Sequence, residues 1–199
     1  MHAIETADVA KIISSDPKVS TVQHGLSELG KEQARRAGES FVGSIEGGAG
    51  APYRGVAIFS SDFLRARETA AIFAEELSKS NVPIYKGDVI LEELLRERYF
   101  GDLNGGPDDR YQKVWDIDVK DPNHNQFSVE SANSVLERTT KLVTNLDDEL
   151  GADGGQWRCI LVAHGDVLQI MQTGFLKHED AARHRSLEHL ETATLRKLS

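Results

Sequence analysis

Apolar residues follow two kinds of pattern along this chain. Unbroken runs occur at Val56-Ala57-Ile58-Phe59 and at Cys159-Ile160-Leu161-Val162-Ala163. Runs without polar alternation predict strands buried on both faces, as parallel strands are in α/β sheets. Elsewhere the apolar positions recur every three or four residues. Phe63, Ala66, Ala70, Phe73 and Leu77 form one such stripe. Ala132, Val135, Leu136, Thr139, Leu142, Val143, Leu146 and Leu150 form the clearest. This spacing predicts helices with one inward face. Another helix is expected over residues 27–47, capped by Ser27 and released by Gly47-Gly48-Ala49-Gly50. That glycine loop lacks the Gly-Lys-Ser/Thr ending of a nucleotide loop and reads as a connector. Further strands are expected near residues 84–86 and, closing the chain, around 193–198. Residues 101–126, rich in Gly, Pro, Asp and Asn, read as a long loop with one helical turn around Trp115. Loops of that length usually serve as lids or binding elements. The alternation implies one α/β domain over residues 1–199, a three-layer α/β/α sandwich without internal repeats.

The strand ends carry the candidate chemistry. The second apolar run leads directly into His164-Gly165, and a helical pattern follows. The first leads into Ser60-Ser61-Asp62, which supplies N-cap chemistry for a helix with Arg65 in its first turn. Ligands of open α/β sheets collect beyond the carboxyl ends of the strands, and helix N-termini attract anions. A guanidinium offers parallel donors matched to phosphate oxygens. Each residue has a plainer role open to it. His164 would serve as a core histidine, and Arg65 as a surface partner of Glu68 or Asp62. Two such junctions, one offering an imidazole and the other a guanidinium, favour a phosphate pocket.

Four segments carry a family resemblance. Ser60-Ser61-Asp62-Phe63-Leu64-Arg65-Ala66-Arg67-Glu68-Thr69-Ala70 resembles the SSDLxRAxxTA segment of the histidine phosphatase (phosphoglycerate mutase-like) superfamily. Leu95-Arg96-Glu97-Arg98-Tyr99-Phe100-Gly101-Asp102-Leu103-Asn104-Gly105 is similar to its LxERxFGxxxG loop, and Val162-Ala163-His164-Gly165 to its second histidine motif. Gly25-Leu26-Ser27-Glu28-Leu29-Gly30-Lys31-Glu32-Gln33-Ala34 resembles the signature of its first helix. The segments stand in the family's order and span nearly the whole chain. The resemblance implies a phosphoglycerate mutase-like fold and a phosphomonoester hydrolase acting on a small phosphorylated metabolite through a phosphohistidine. It makes His2 the nucleophile, Arg65 and His164 the holders of the phosphoryl group, and Glu97 the general acid and then base. Glu92 and Glu93 lie close to Glu97 and are solvated alternatives to it. A glutamate acts as an acid near neutral pH only if burial or a neighbouring anion raises its pKa.

The start of the chain departs from that pattern. The family opens with a buried strand ending in Arg-His-Gly, or in some members Arg-His-Ala; this chain opens Met1-His2-Ala3. Met1 stands where the arginine is usual and Asp8 where asparagine is usual, and the usual first central strand is expected to be missing. Residues beside a free terminus are seldom ordered unless tied down. Alternatives therefore stay open: a phosphoglycerate mutase-type phosphotransferase, a catalytically impaired phosphate-binding pseudoenzyme, or a normal enzyme whose chain starts upstream. Mutases of the family tend to carry a long insertion between the two halves, so the resemblance, with only a modest segment at residues 101–126, implies a phosphatase rather than a mutase.

Bulk properties narrow the partners. A net charge of −9 argues against a nucleic-acid surface but not against a phosphorylated small molecule held by a few focused arginines. The single cysteine, Cys159, sits in an expected buried strand and excludes an internal disulfide framework. No apolar run approaches membrane-spanning length. The expectation is a cytoplasmic enzyme without metal or other cofactor, with a homodimer left open as its assembly. His178, His184 and His189 lack the one-turn spacing of a helical zinc site. Arg185 is a candidate contact for the remote part of a substrate. Tyr111 and Trp115 read either as lid residues or as buried anchors.

Overall fold

The computed structural model describes residues 11–46, 53–152, 154, 156–176, 180–188 and 190–198. Its centre is a parallel sheet with strand order β2-β1-β3, where β1 is Gly55–Ser60, β2 is Ile90–Leu91 and β3 is Trp157–Val162. In register, Ala57 lies opposite Cys159, Phe59 opposite Leu161, and Phe59 also opposite Ile90.

Strand β1 is buried at every residue, because each of its faces meets a helical layer. Val56 and Ile58, with Ile160 and Val162 of β3, pack on the side of α2 (Glu28–Glu46) and α3 (Leu64–Lys79). Ala57 and Phe59 pack on the opposite side, against α5 (Ala132–Ala152) and α6 (Gly165–Thr173). The alternation of side chains along a strand thus feeds two cores, giving the expected three layers. The inward stripes of α3 and α5 are those read from residue spacing: Phe73 and Leu77 in one and Val135 and Leu142 in the other are all nearly or fully buried. Ser27 opens α2, its Oγ accepting from the Gly30 amide at 3.0 Å. A short helix, α1 (Pro17–Ser20), is capped by the Asp16 side chain.

Several local expectations are corrected. Residues 84–86 do not form a strand. Lys86 adopts φ 54°, which bends Tyr85–Gly87 into a 3-10 turn, and the edge strand forms later, at Ile90–Leu91. Residues 193–198 have no strand partner among the described residues; Ala193 is at φ 54°, and Arg196 Nη1 donates to the Glu188 carbonyl. The expected loop over 101–126 carries more than one turn, since α4 spans Tyr111–Asp118. Cys159 is exposed rather than buried, because β3 pairs with β1 alone among the described residues and so ends the sheet. A trough of about 870 Å³ runs along this edge, with Phe41 on one side, Leu146 and Leu150 on the other, and residues 194–198 beside it. The loop at residues 47–50 lies outside the described residues.

A smaller core joins Ile13 to Phe100, Leu103, Val114 and Val129. It anchors the Glu97 loop and α4 beyond the carboxyl ends of the strands. Gly101 is essential to that junction. It sits at φ 50°, and a Cβ there would lie 2.1 Å from the Phe127 carbonyl oxygen. No helix among the described residues is long and apolar enough to cross a membrane.

Candidate active site

Strands β1 and β3 end side by side, so the residues that follow them converge. His164 is the N-cap of α6 and Arg65 lies in the first turn of α3. The Arg65 Nε donates to His164 Nδ1 at 3.1 Å. With Nδ1 accepting, the hydrogen of a neutral imidazole lies on Nε2, which is 3.0 Å from Ser61 Oγ. The Phe63 ring flanks both groups, 5.1 Å from the His164 ring and 5.1 Å from the Arg65 guanidinium carbon. Both side chains are buried, Arg65 at 7% exposure and His164 at 3%.

Arg65 does not make the surface pairs open to it in sequence. Asp62 instead binds Arg96 in a two-pronged pair of 2.8 and 2.6 Å. Glu68 accepts from the Leu26 amide at 2.6 Å. The remaining guanidinium nitrogens of Arg65 reach Ser14, at 2.9 Å to its carbonyl oxygen and 3.5 Å to its hydroxyl. The expected capping of α3 by Ser60-Ser61-Asp62 is also modified. Phe63 is the N-cap, and Ser61 Oγ accepts from the Phe63 amide at 3.3 Å while also meeting His164.

Glu97 is half-buried and its Oε1 accepts from the Arg98 amide at 2.8 Å. Its pKa is raised to about 7, first by burial and then by the negative charge of Asp166. Arg65, the Arg98 amide and Arg138 oppose that rise without cancelling it. Glu93, by contrast, is exposed, and Glu92 is occupied in accepting from the Leu94 amide at 3.0 Å. Of the neighbouring glutamates, only Glu97 has the surroundings of a proton donor near neutral pH.

Beneath Glu97 lies a buried charge cluster that the sequence did not announce. Arg98, fully buried, grips Asp118 through two bonds of 2.7 and 2.8 Å. The same guanidinium reaches Asp166 at 3.4 Å. His124 Nε2 lies 2.9 Å from Asp118, and His184 Nε2 lies 3.3 Å from Asp166. The indole of Trp115 donates to Asp166 at 3.0 Å, and Arg185 stacks over that indole at 3.8 Å. Trp115 is thus a half-buried anchor, with Tyr111 stacked on its other side. Arg185 Nη1 donates to Gln169 Oε1. Burial alone would raise Asp166, but contact with His184, then Arg98 and Arg185, holds it below the usual carboxylate range. Asp166 sits two residues beyond His164, where only proximity in sequence could have drawn attention to it.

Ser14 and His24 also escaped the sequence reading, and Ser61, read there as a helix cap, meets His164 as well. The pKa of His24 is lowered by burial and by the charge of Arg65, which places the ring near the same pocket. Neither Ser14 nor His24 carries a motif of its own. His2, the expected nucleophile, lies outside the described residues, as do Met1, Ala3, Asp8, His178 and His189. Among the described residues no cluster could hold a metal ion.

Comparison with known proteins agrees with this geometry. A family model described as histidine phosphatase superfamily (branch 1) matches residues 17–199. A probable phosphatase of Schizosaccharomyces pombe is 26% identical over 160 residues, which cover 80% of this chain and 65% of that protein. The chain therefore spans just under two thirds of that relative's length. A phosphoglycerate mutase of the same organism is 33% identical over 90 residues, covering 45% of this chain and 37% of the mutase. Among solved structures, a mycobacterial glucosyl-3-phosphoglycerate phosphatase in complex with VO3 shares the fold with a TM-score of 0.72. It is 24% identical, over 96% of this chain and 85% of that one.

Proposed function

We propose a phosphatase, from the premise that this chain belongs to the histidine phosphatase superfamily (branch 1). The reaction is hydrolysis of a phosphomonoester on a small metabolite through a phosphohistidine. The observation that carries this reading is the meeting of Arg65 and His164 at 3.1 Å beyond two adjacent strand ends. A buried guanidinium and an imidazole at a helix N-terminus suit the oxygens of a phosphoryl group, whose charge is spread over three positions in the transition state.

In this scheme a ring nitrogen of His2 attacks phosphorus. The bond to the leaving oxygen breaks with its electron pair, and that oxygen takes the proton of Glu97. Water then attacks the phosphohistidine and gives its proton to the Glu97 carboxylate. The phosphorus–nitrogen bond breaks, and its electron pair returns to the imidazole. Arg65 and His164 hold the phosphoryl oxygens through both steps. The raised pKa of Glu97 supports its role, since at neutral pH it is partly protonated and able both to give and to take a proton.

Hydrolysis of an aryl phosphate by the natural chain and by His2→Ala and His164→Ala tests the proposal. Turnover in the natural chain, lost in both variants and accompanied by a phosphoryl adduct on His2, is the expected result. Equal rates in all three would overturn it. One feature favours a second reading, a binding-only pseudoenzyme: Met1 stands where the family's motif carries arginine. That reading requires vanadate binding that depends on Arg65, without turnover.

A further inference from the structure

Ser61 stands where two strand ends meet. It follows β1 directly, and its amide donates to the Val162 carbonyl at 2.9 Å, so the parallel ladder runs one residue past the strand. That register sets Ser61 beside the residues leading from β3 into α6, and its hydroxyl lies 3.0 Å from His164 Nε2. The neighbouring Ser60 hydroxyl donates to the Ser61 carbonyl at 2.9 Å, and Ser61 is wholly buried. Capping of α3 alone does not account for this placement. The contact from the Phe63 amide to Ser61 Oγ is 3.3 Å, long for an N–H donor, whereas the imidazole contact has an ordinary length. The hydrogen positions follow from the arginine. A guanidinium only donates, so His164 Nδ1, 3.1 Å from Arg65 Nε, is the acceptor. The ring hydrogen then lies on Nε2 and is given to Ser61 Oγ. Half a turn of the ring would set carbon against both partners, so the two contacts together permit one orientation. Arg65 is fixed in turn. Its Nε is held by His164 and its Nη2 by the Ser14 carbonyl at 2.9 Å, and contacts at two different nitrogens set the plane of the guanidinium.

We propose that Ser61 is a positioning residue of the phosphoryl site: its hydroxyl accepts the Nε2 hydrogen of His164, and the ring so held aims Arg65 through Nδ1. The inference rests on the proposed phosphatase reading for its catalytic meaning, and it deepens that reading. The physical gain is preorganisation. A guanidinium whose plane is set before an anion arrives loses little freedom in binding it, and donors fixed in advance are the ones that stabilise developing charge. Without the Ser61 hydroxyl, the Nε2 hydrogen loses this acceptor. The ring can then turn, or shift its hydrogen to Nδ1, where it would oppose the Nε hydrogen of Arg65. One buried hydroxyl thus joins the β1–α3 junction to the β3–α6 junction.

Ser61→Ala removes the hydroxyl, and Ser61→Cys keeps nearly the same volume with a weak acceptor in its place. Nitrogen-15 NMR of the His164 ring and of the Arg65 Nε–H group, assigned with His164→Gln and Arg65→Lys, reads the relay without relying on turnover. In the natural chain Nε2 is expected to carry the hydrogen, Nδ1 to be bare, and the Arg65 Nε hydrogen to exchange slowly with water. In Ser61→Ala and Ser61→Cys alike that exchange should quicken by about tenfold or more, and vanadate should bind about tenfold more weakly. Loss of a helix cap alone would lower Tm and leave both NMR signals in place, and that outcome overturns the proposal. So does a natural chain with its hydrogen on Nδ1, or a Ser61→Cys variant that behaves as the natural chain, since volume and not hydrogen bonding would then be the role. If the natural chain neither binds vanadate nor hydrolyses an aryl phosphate while both signals answer to Ser61→Ala, the phosphatase reading fails and the positioning role stands. Turnover in the natural chain with signals indifferent to Ser61→Ala gives the reverse. Should Ser61→Ala not fold, Ser61→Cys carries the same test.

Discussion

Arg65 and His164 are 99 residues apart in the chain and 3.1 Å apart in space. That distance sets the expectations at the residue scale. Arg65→Ala removes the guanidinium of the proposed phosphoryl site. A loss of kcat of about 10²–10³-fold is expected in a steady-state phosphatase assay, in line with removing a preorganised donor. A surviving rate within a factor of about three would assign Arg65 to packing. Glu97 makes a second, opposite-signed expectation. Its folded pKa, about 7, lies above its ordinary value of 4.5, so the folded chain binds more protons than the unfolded one between those limits. Stability attributable to this group is therefore full at low pH and declines as pH rises toward 7. Glu97→Gln removes that cost. The variant should be more stable than the natural chain by about 3 kcal/mol at pH 8, with little difference near pH 4.5, as read by urea denaturation. The same variant should lose roughly 10²–10⁴-fold in activity. Stability gained and catalysis lost by one substitution is the mark of a strained functional group.

At the scale of elements, the Glu97 loop is held from beneath by Arg98 and at its turn by Gly101. Arg98→Leu would leave Asp118 buried without its two-pronged partner. Breaking such a pair costs about 3–5 kcal/mol, which should appear as a large fall in the denaturation midpoint. Gly101→Ala meets both a left-handed backbone and the Phe127 carbonyl at 2.1 Å. The local shift it forces should cost about 1–3 kcal/mol and displace Glu97, so activity falls further than stability alone explains. Helix α4 bears on the same loop. Tyr111 packs edge-on against Phe100, a centroid separation of 4.7 Å, while Trp115 anchors to Asp166.

At the scale of the whole molecule, the proposed phosphate seat is assembled from separate helical layers, α3 on one side of the sheet and α6 on the other. A ligand bridging them should stabilise the fold as a unit. Vanadate at about a hundredfold excess over its Kd adds roughly 2.7 kcal/mol, which for a chain of this size raises Tm by about 5–10 °C. That shift should vanish in Arg65→Ala; a shift unchanged by the substitution would place the anion elsewhere. The trough of about 870 Å³ along β3 is a poor candidate for that ligand, because Arg65, Glu97 and His164 do not line it.

Much of this architecture was legible in residue order. The unbroken apolar runs give β1 and β3 because a strand buried on both faces needs apolar side chains in both directions. The stripes of α3 and α5 follow from a helical period that depends only on neighbours in sequence. The strand tips carrying Arg65 and His164 are local features too, so their meeting follows once the two strands lie parallel and adjacent. What the chain order could not disclose depends on partners distant in sequence. Residues 193–198 have strand-like composition, but a strand exists only where a neighbour's ladder receives it, and at 84–86 the single bridge of Ile84 to Val56 is cut short by the left-handed turn at Lys86. Cys159 sits in an apolar run, yet its exposure is set by which strand comes last in the sheet among the described residues. The cluster of Arg98, Asp118, His124, Asp166 and His184 draws on four separate stretches of chain, and each residue alone reads as ordinary surface charge. Periodicity is a property of neighbours along the backbone. Charge balance in a low-dielectric interior is a property of neighbours in space, and only the folded chain decides who they are.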